Sequence, residues 1–233
     1  MTGTVINVAA ILAGTLIGVL VGGRLPEGLQ RRVLAGLGLV TLVIGVDLAL
    51  AWRDTSPLYV LGGVLLGGLA GEALRIEDRL AALGDTIQRR VSAARGSTSR
   101  VSEAFFDASL LFCVGPLAVV GAIQDGLTGD YEALATKALL DGFASIALAA
   151  TLGWGVALAA GSVLVYQGAL SFGATLFEDV LEGEALAALT SAGGLLIIGI
   201  SLKLLELTDV KVGNFLPALI FAPALVGLVS LLS

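Results

Sequence analysis

The chain has no histidine, one cysteine (Cys113) and one methionine (Met1). Zinc centres built on His and Cys, His-based general bases, intrachain disulfides and haem ligation by His or Met are thereby excluded. Charge is also scarce. Asp, Glu, Lys and Arg make up 14% of the 233 residues, against ~25% in an ordinary soluble domain. A soluble surface has to be covered with polar side chains, and this composition cannot cover one. What is abundant is apolar: 57% of residues are hydrophobic, and the mean hydropathy is +0.98. There are 32 glycines, twice the usual ~7%, with no Gly-X-Y period. Small residues of this kind let membrane helices approach closely.

A spanning helix needs about 20 mostly apolar residues. Eight such stretches run over roughly 4–22, 33–51, 57–74, 104–124, 135–159, 162–177, 185–205 and 213–232. The fifth and sixth are nearly continuous, and Ala159-Ala160-Gly161-Ser162 is where a tight hairpin is expected. Reading those two as one span gives seven helices. Basic residues test the count, because cytoplasmic loops collect Lys and Arg. Arg24, Arg31, Arg32, Arg75, Arg79, Arg89, Arg90, Arg95, Arg100, Lys203 and Lys211 fall on one face of an eight-helix chain. Only Arg53 and Lys137 fall on the other, with the acidic cluster Glu178, Asp179, Glu182 and Glu184. Both termini are therefore expected outside. The first stretch lacks a basic leader and a small-x-small cleavage site, so it is expected to be retained.

The longest polar segment, about 76–103, repeats Leu80, Leu83, Ile87 and Val91 at helical spacing. It reads as a cytoplasmic amphipathic helix near the lipid headgroups. The net charge of −6 argues against nucleic acid as a partner, and membrane lipids suit these arginines better.

An internal repeat is visible. Leu42-Val43-Ile44-Gly45-Val46-Asp47-Leu48 in the second stretch resembles Leu196-Ile197-Ile198-Gly199-Ile200-Ser201-Leu202 in the seventh, 154 residues later. Gly3-Thr4-Val5-Ile6 resembles Gly161-Ser162-Val163-Leu164. A shift of five spans is odd, so matched helices would run in opposite directions. That is the pattern of an inverted-topology repeat. The expected fold is thus an all-α, polytopic transmembrane bundle of about eight helices. Its segments are 1–75 (first repeat), 76–103 (connector), 104–160 (central helices) and 161–233 (second, inverted repeat).

A charge at the bilayer centre costs at least about 2.5–3.5 kcal/mol on insertion scales. Asp141 is the most conspicuous, about two turns into the fifth stretch among Leu139, Leu140, Phe143 and Ile146. Lys137, one turn earlier, is its competing partner. Gln124 and Asp125 end the fourth stretch. Asp107 reads as an interfacial carboxylate near Arg100, Asp47 as a group near the outer headgroups, and Glu72 as a helix-end carboxylate facing water. Asn7, Gln167, Thr151, Ser145 and Asn214 are neutral candidates, and each reads equally as interhelical glue. Gly115-Pro116, Pro217 and Pro223 interrupt helices. Freed carbonyls at membrane depth are tolerated where they line a cavity. Carbonyls with carboxylates and amides make a hard-oxygen setting suited to Na⁺, H⁺, Mg²⁺ or Ca²⁺. Gly14, Gly18 and Gly22, and Gly63, Gly67 and Gly71, form close-contact stripes, either within the chain or in a homo-oligomer.

The chain resembles the bacterial membrane-protein family known as domain of unknown function 554. The resemblance rests on GTVIN at 3–7, GLGL at 36–39, GGLAGEALRIEDRL at 67–80, SLLFCVGPLAVVGAIQDGLTGD at 109–130, LLDGFASIALAATLGWG at 139–155, YQGAL at 166–170 and VGNFLPAL at 212–219. It implies an integral protein of the bacterial inner membrane. Asp125 and Asp141 fall on its IQDG and LDG motifs, and Asp107 lies outside the pattern.

The expected function is a small secondary transporter of a cation or small solute. Asp141, Asp125 and Gln124 would hold the ligand, with Asn7 and Gln167 lining the path. No cofactor is expected. A passive channel would share these residues. A non-transporting scaffold or sensor, with 76–103 as its output, is the third reading. Catalysis is not expected: Asp107 and Asp141 fall toward opposite faces, and there is no His, activated Ser or Cys, or Gly-x-Gly-Asp run.

Overall fold

The structure, a computed structural model, describes residues 1–22, 26–79, 82, 101–113, 116–177, 182–208 and 210–232. Helices dominate. They are α1 (Thr2–Gly22), α2 (Glu27–Ala49), α3 (Pro57–Leu74), α4 (Val101–Cys113), α5 (Pro116–Leu127), α6 (Glu132–Leu152), α7 (Val156–Phe172), the single turn α8 (Ala174–Phe177), α9 (Gly183–Leu204) and α10 (Ala218–Leu232). Short 3₁₀ turns at Leu50–Asp54 and Val212–Phe215 precede α3 and α10. Among the described residues there is no β-strand. Most of the connector expected at 76–103 lies outside the described residues.

Five described helical segments are long and apolar enough to cross a membrane: Thr2–Gly22, Pro57–Leu74, Glu132–Leu152, Gly183–Leu204 and Val212–Ser230. Val101–Cys113 and Ala118–Leu127 qualify as a pair, bent by 61°, and bring the number to six. The chain is an integral membrane protein. The two remaining sequence-counted stretches are helical as well, as α2 and the shorter apolar α7.

Local chemistry explains several boundaries. Ser56 caps α3 by accepting the Leu58 N–H at 3.3 Å, and Pro57 occupies the first helical position, where its missing N–H costs nothing. The same helix stops at Arg75, which is left-handed (φ 50) and whose N–H bonds back to the carbonyls of Gly71 and Glu72. The hairpin expected at 159–162 is displaced. The chain turns at Gly153-Trp154-Gly155, where Gly153 takes φ 89. That conformation favours glycine. Ala159 and Ala160 are instead buried within α7, so these two small residues serve helix packing rather than a turn.

The molecule divides into two compact units. The first holds Met1–Leu37, Asp78–Cys113 and Leu117–Ala174. In it α1 packs along α6 in parallel. Gly14 meets the Gly142 carbonyl, Gly18 that of Ile146 and Gly22 that of Ala150. A Cβ at any of the three would collide with backbone. α7 lies beside α1 and α4, with Ser109 Oγ hydrogen-bonded to Ser162 Oγ at 3.0 Å and Gly155 seated on Val101.

The second unit holds Gly38–Glu77, Val114–Pro116 and Thr175–Ser233. Here α3 and α10 pack antiparallel: Gly63 meets Ala222, Gly67 meets Ala218 and Gly71 meets Asn214. The C-terminal half of α2 crosses α9 through Gly45 on Ile198 and Gly194 on Ala49. Ser191 Oγ donates to the Ala49 carbonyl at 2.8 Å. Both glycine stripes seen in the sequence are therefore spent on contacts within one chain. The sequence-ordered segments 1–75, 104–160 and 161–233 do not coincide with these units, because α1 packs with helices more than a hundred residues away.

Candidate functional site

The inner face of α6 is a helical stripe of Leu134, Lys137, Ala138, Asp141, Ser145, Leu148, Ala149 and Leu152, all buried. Leu139, Leu140 and Phe143 point outward and are exposed. Asp141 is thus turned away from the apolar residues that surround it in sequence. Lys137 and Asp141 stand four apart, and their side chains form a buried ion pair. A Lys and an Asp four apart in a helix are neighbours by geometry. The Lys137 ammonium also lies 6.0 Å from the centre of the Phe112 ring, at the limit of a cation–π contact.

α1 brings the third group. Its buried stripe is Gly3, Thr4, Asn7, Ile11, Gly14, Thr15, Gly18 and Gly22. The glycines draw α1 onto α6, and the same face carries Asn7 to the carboxylate. Asn7 Nδ2 donates to Asp141 Oδ2 at 2.9 Å and to Gln167 Oε1 of α7 at 3.4 Å. Asn7 and Gln167 are both 0% exposed. Three of the five residues expected at the site, Asp141, Asn7 and Gln167, therefore converge.

Several polar atoms of this face have no hydrogen-bond partner among the described residues: Asn7 Oδ1, Gln167 Nε2 and the hydroxyls of Thr4, Thr15 and Ser145. Elsewhere hydroxyls in apolar helices do find carbonyls. Thr151 bonds back to Ala147 and Leu148, Ser201 to Ile198, and Ser171 reaches across to Ala122. A buried polar atom left unpaired costs about 1–3 kcal/mol. These unpaired atoms lie along α1, α6 and α7.

The remaining two residues are placed differently. Asp125 is buried on α5, but its Oδ2 accepts the Gly3 N–H at 3.0 Å and lies 2.8 Å from the Met1 amino group. It caps α1 from another helix and complements its positive end. Gly3 is one turn before Asn7, so Asp125 holds in place the helix that carries the amide. Gln124 is exposed, and its backbone carbonyl accepts from Thr128. It is not part of the cluster. Residues 124 and 125 are adjacent, and adjacent positions on a helix face about 100° apart, so Asp125 turns inward while Gln124 faces out.

Asp107 is 1% exposed on α4; Arg100, beside which it was expected, lies outside the described residues. Asp47 is exposed. Glu72, read as a helix-end carboxylate facing water, accepts from Asn214 Nδ2 at 2.6 Å. Asn214 Oδ1 in turn accepts the Glu77 N–H at 2.9 Å, and the Gly213 N–H donates to Glu77 Oε2 at 2.6 Å. These bonds join the end of α3 to the turn before α10.

Lys137 was counted on the outer face and also named as the competing partner of Asp141; its side chain is buried and paired with Asp141. Thr4 and Thr15 were hidden among the glycines of α1. Among the described residues no three His, Cys, Asp or Glu side chains gather as metal ligands.

Comparison with known proteins places this geometry in a family. The family described as Protein of unknown function (DUF554) matches residues 2–227. "Uncharacterized membrane protein YdfK" of Bacillus subtilis (strain 168) is 30% identical over 228 residues, 97% of this chain and 96% of that one. "Uncharacterized protein YqgA" of Escherichia coli (strain K12) is 30% identical over 222 residues, 94% of each chain. No solved structure matches.

Proposed function

The chain belongs to the DUF554 family, and from that membership and the buried cluster we propose that it is a small secondary transporter of a cation or small solute in the bacterial inner membrane. The observation that carries the reading is the Asp141–Lys137 pair joined by Asn7, on two helices fit to cross a bilayer, with Gln167 of the shorter apolar α7 beside them. Ionisable groups at membrane depth are expensive and are characteristic of substrate and ion paths. Glue between helices would satisfy every polar atom, and here Asn7 Oδ1 and Gln167 Nε2 are left over. The proposed ligand-facing set is Asp141, Lys137, Asn7 and Gln167. Asp125 is a positioning residue for α1, and Gln124 drops out.

We further propose the eight-span topology with both termini outside. Helix directions support it. α1 and α6, the first and fifth spans, run parallel, as odd-numbered spans must. α3 and α10, the third and eighth, run antiparallel, and so do α2 and α9, the second and seventh. Fusing the fifth and sixth spans would reverse the last two and break this agreement. Opposite directions for the second and seventh spans, and for the third and eighth, also fit the inverted repeat inferred from the matched segments.

The test is flux in proteoliposomes with purified protein and a panel of H⁺, Na⁺, K⁺, Mg²⁺, Ca²⁺ and small amino acids. Saturable flux of one species, lost in Asp141→Asn with the protein still monodisperse, is the expected result. Non-saturating flux through the same residues would make the protein a channel. Absence of flux across the panel would count against transport and favour the scaffold or sensor reading.

A further inference from the structure

The substrate class can be narrowed from how the cluster is charged and paired. Asp141 is not a free carboxylate awaiting a cation. Its Oδ2 already holds the Lys137 ammonium and the Asn7 amide. The two charges cancel. Of the two amides in the cluster, one acceptor, Asn7 Oδ1, and one donor, Gln167 Nε2, have no hydrogen-bond partner among the described residues. The site as a whole is neutral and balanced between donating and accepting.

A bare cation suits it poorly. To reach Asp141 the cation must displace Lys137, and the ammonium is then buried without a partner. Breaking one side of a buried pair lowers affinity roughly a hundred- to several-thousand-fold. A bare anion has the mirror problem, since it takes Lys137 and strands Asp141. A divalent metal fares no better, because among the described residues no three His, Cys, Asp or Glu side chains gather to hold one. A ligand carrying both charges escapes the penalty, because it replaces both partners in one event.

We infer that the site takes a small zwitterion of the amino-acid class, its ammonium on Asp141 and Asn7 Oδ1 and its carboxylate on Lys137 and Gln167 Nε2. The backbones of Lys137 and Asp141 are about 6 Å apart along α6, so when their side chains part the two ends of an α-amino acid can engage them one each. When the ligand leaves, the pair closes on itself, and neither charge is ever buried alone. The internal ion pair is thus the empty-state stand-in for the substrate. This inference rests on the transporter reading above.

The experiment uses the reconstituted full-length chain and three probes that differ only in their charges: radiolabelled glycine as the zwitterion, methylamine as its ammonium half and acetate as its carboxylate half. L-Alanine and L-serine are run as competitors. ²²Na⁺ and ⁴⁵Ca²⁺ uptake and a pH-sensitive dye are followed in parallel. Lys137→Gln, Asp141→Asn and the double variant, which removes both buried charges and spares the fold, are checked for monodispersity. The expected result is saturable uptake of glycine or inhibition among the three amino acids, with no competition by methylamine or acetate. Each single variant should lose at least tenfold in kcat/KM. Uptake of a cation or proton that needs Asp141, with no amino-acid uptake, overturns the zwitterion and leaves transport standing. So does a Lys137→Gln protein that gains cation flux. Amino-acid uptake unchanged in Lys137→Gln overturns the role given to the pair. No saturable flux of any probe in wild-type protein defeats the transport reading, and this inference with it.

Discussion

Lys137 and Asp141 keep each other tolerable in an apolar interior, and their removal should show it. Deleting one partner leaves the other charge buried and uncompensated, at a cost of about 3–5 kcal/mol. Lys137→Ala and Asp141→Ala are each expected to lower the thermal midpoint sharply in detergent, and the pair Lys137→Met with Asp141→Leu should cost less than either. A double variant as unstable as the sum of the singles would show that the two do not interact. Asn7→Leu removes the amide donor from Asp141 and should cost about 1–3 kcal/mol. Asp125→Ala removes the cap of α1 and should cost about 1 kcal/mol; a parallel loss of ligand affinity without direct contact would fit its positioning role. Asp141 was legible in the sequence because carboxylates are rare in apolar runs. Its partners were not, because Asn7 and Gln167 lie 134 and 26 residues away and only packing makes them neighbours.

Helices of this protein meet at backbone distance, and glycine is what allows it. Gly18 and Gly22 of α1 and Gly67 and Gly71 of α3 leave no room for a Cβ. Gly18→Leu or Gly67→Leu should abolish the monodisperse fold, read by size-exclusion chromatography. Gly161→Ala on α7 is the contrast. Nothing lies within 4 Å of its Cβ position, so removing a helical glycine there should stabilise by roughly 0.5–1 kcal/mol. The stripes themselves were visible in the sequence as four-residue spacings. Whether they joined helices of one chain or of two was not, since a spacing names a face but not its partner. The α6–α7 turn was misplaced for a related reason. Small residues serve both turns and close packing, and at 159–160 packing won, while Gly153 took the strained turn.

At the scale of the whole chain, the proposed topology makes an accessibility prediction. In a Cys113→Ala background, cysteines introduced at Thr128 and Glu182 should react with a membrane-impermeant maleimide in intact cells. A cysteine at Ser97 should react only after lysis. Reaction of all three from the same side would defeat the eight-span arrangement. The site is built within the first unit, and the second unit's polar cluster, Glu72, Glu77 and Asn214, is expended on its own clasp. Glu77→Gln should therefore weaken the protein against heat without changing the substrate dependence of flux.

Composition placed this protein in a membrane, because 57% hydrophobic residues cannot be hidden in a soluble core of this size, and apolar runs of about 20 residues made it helical, since a spanning strand needs only about half that length. The family was also legible, through motifs that run along nearly all of the chain. Tertiary structure decided the rest. It turned Gln124 outward and Asp125 inward, spent Asp125 on a helix cap and Glu72 on a clasp, and drew Asn7, Lys137, Asp141 and Gln167 into one neutral cluster. The reason is geometric. A sequence states which residues are polar, but partners come from three helices far apart in the chain, and their meeting depends on which faces the glycines allow to close.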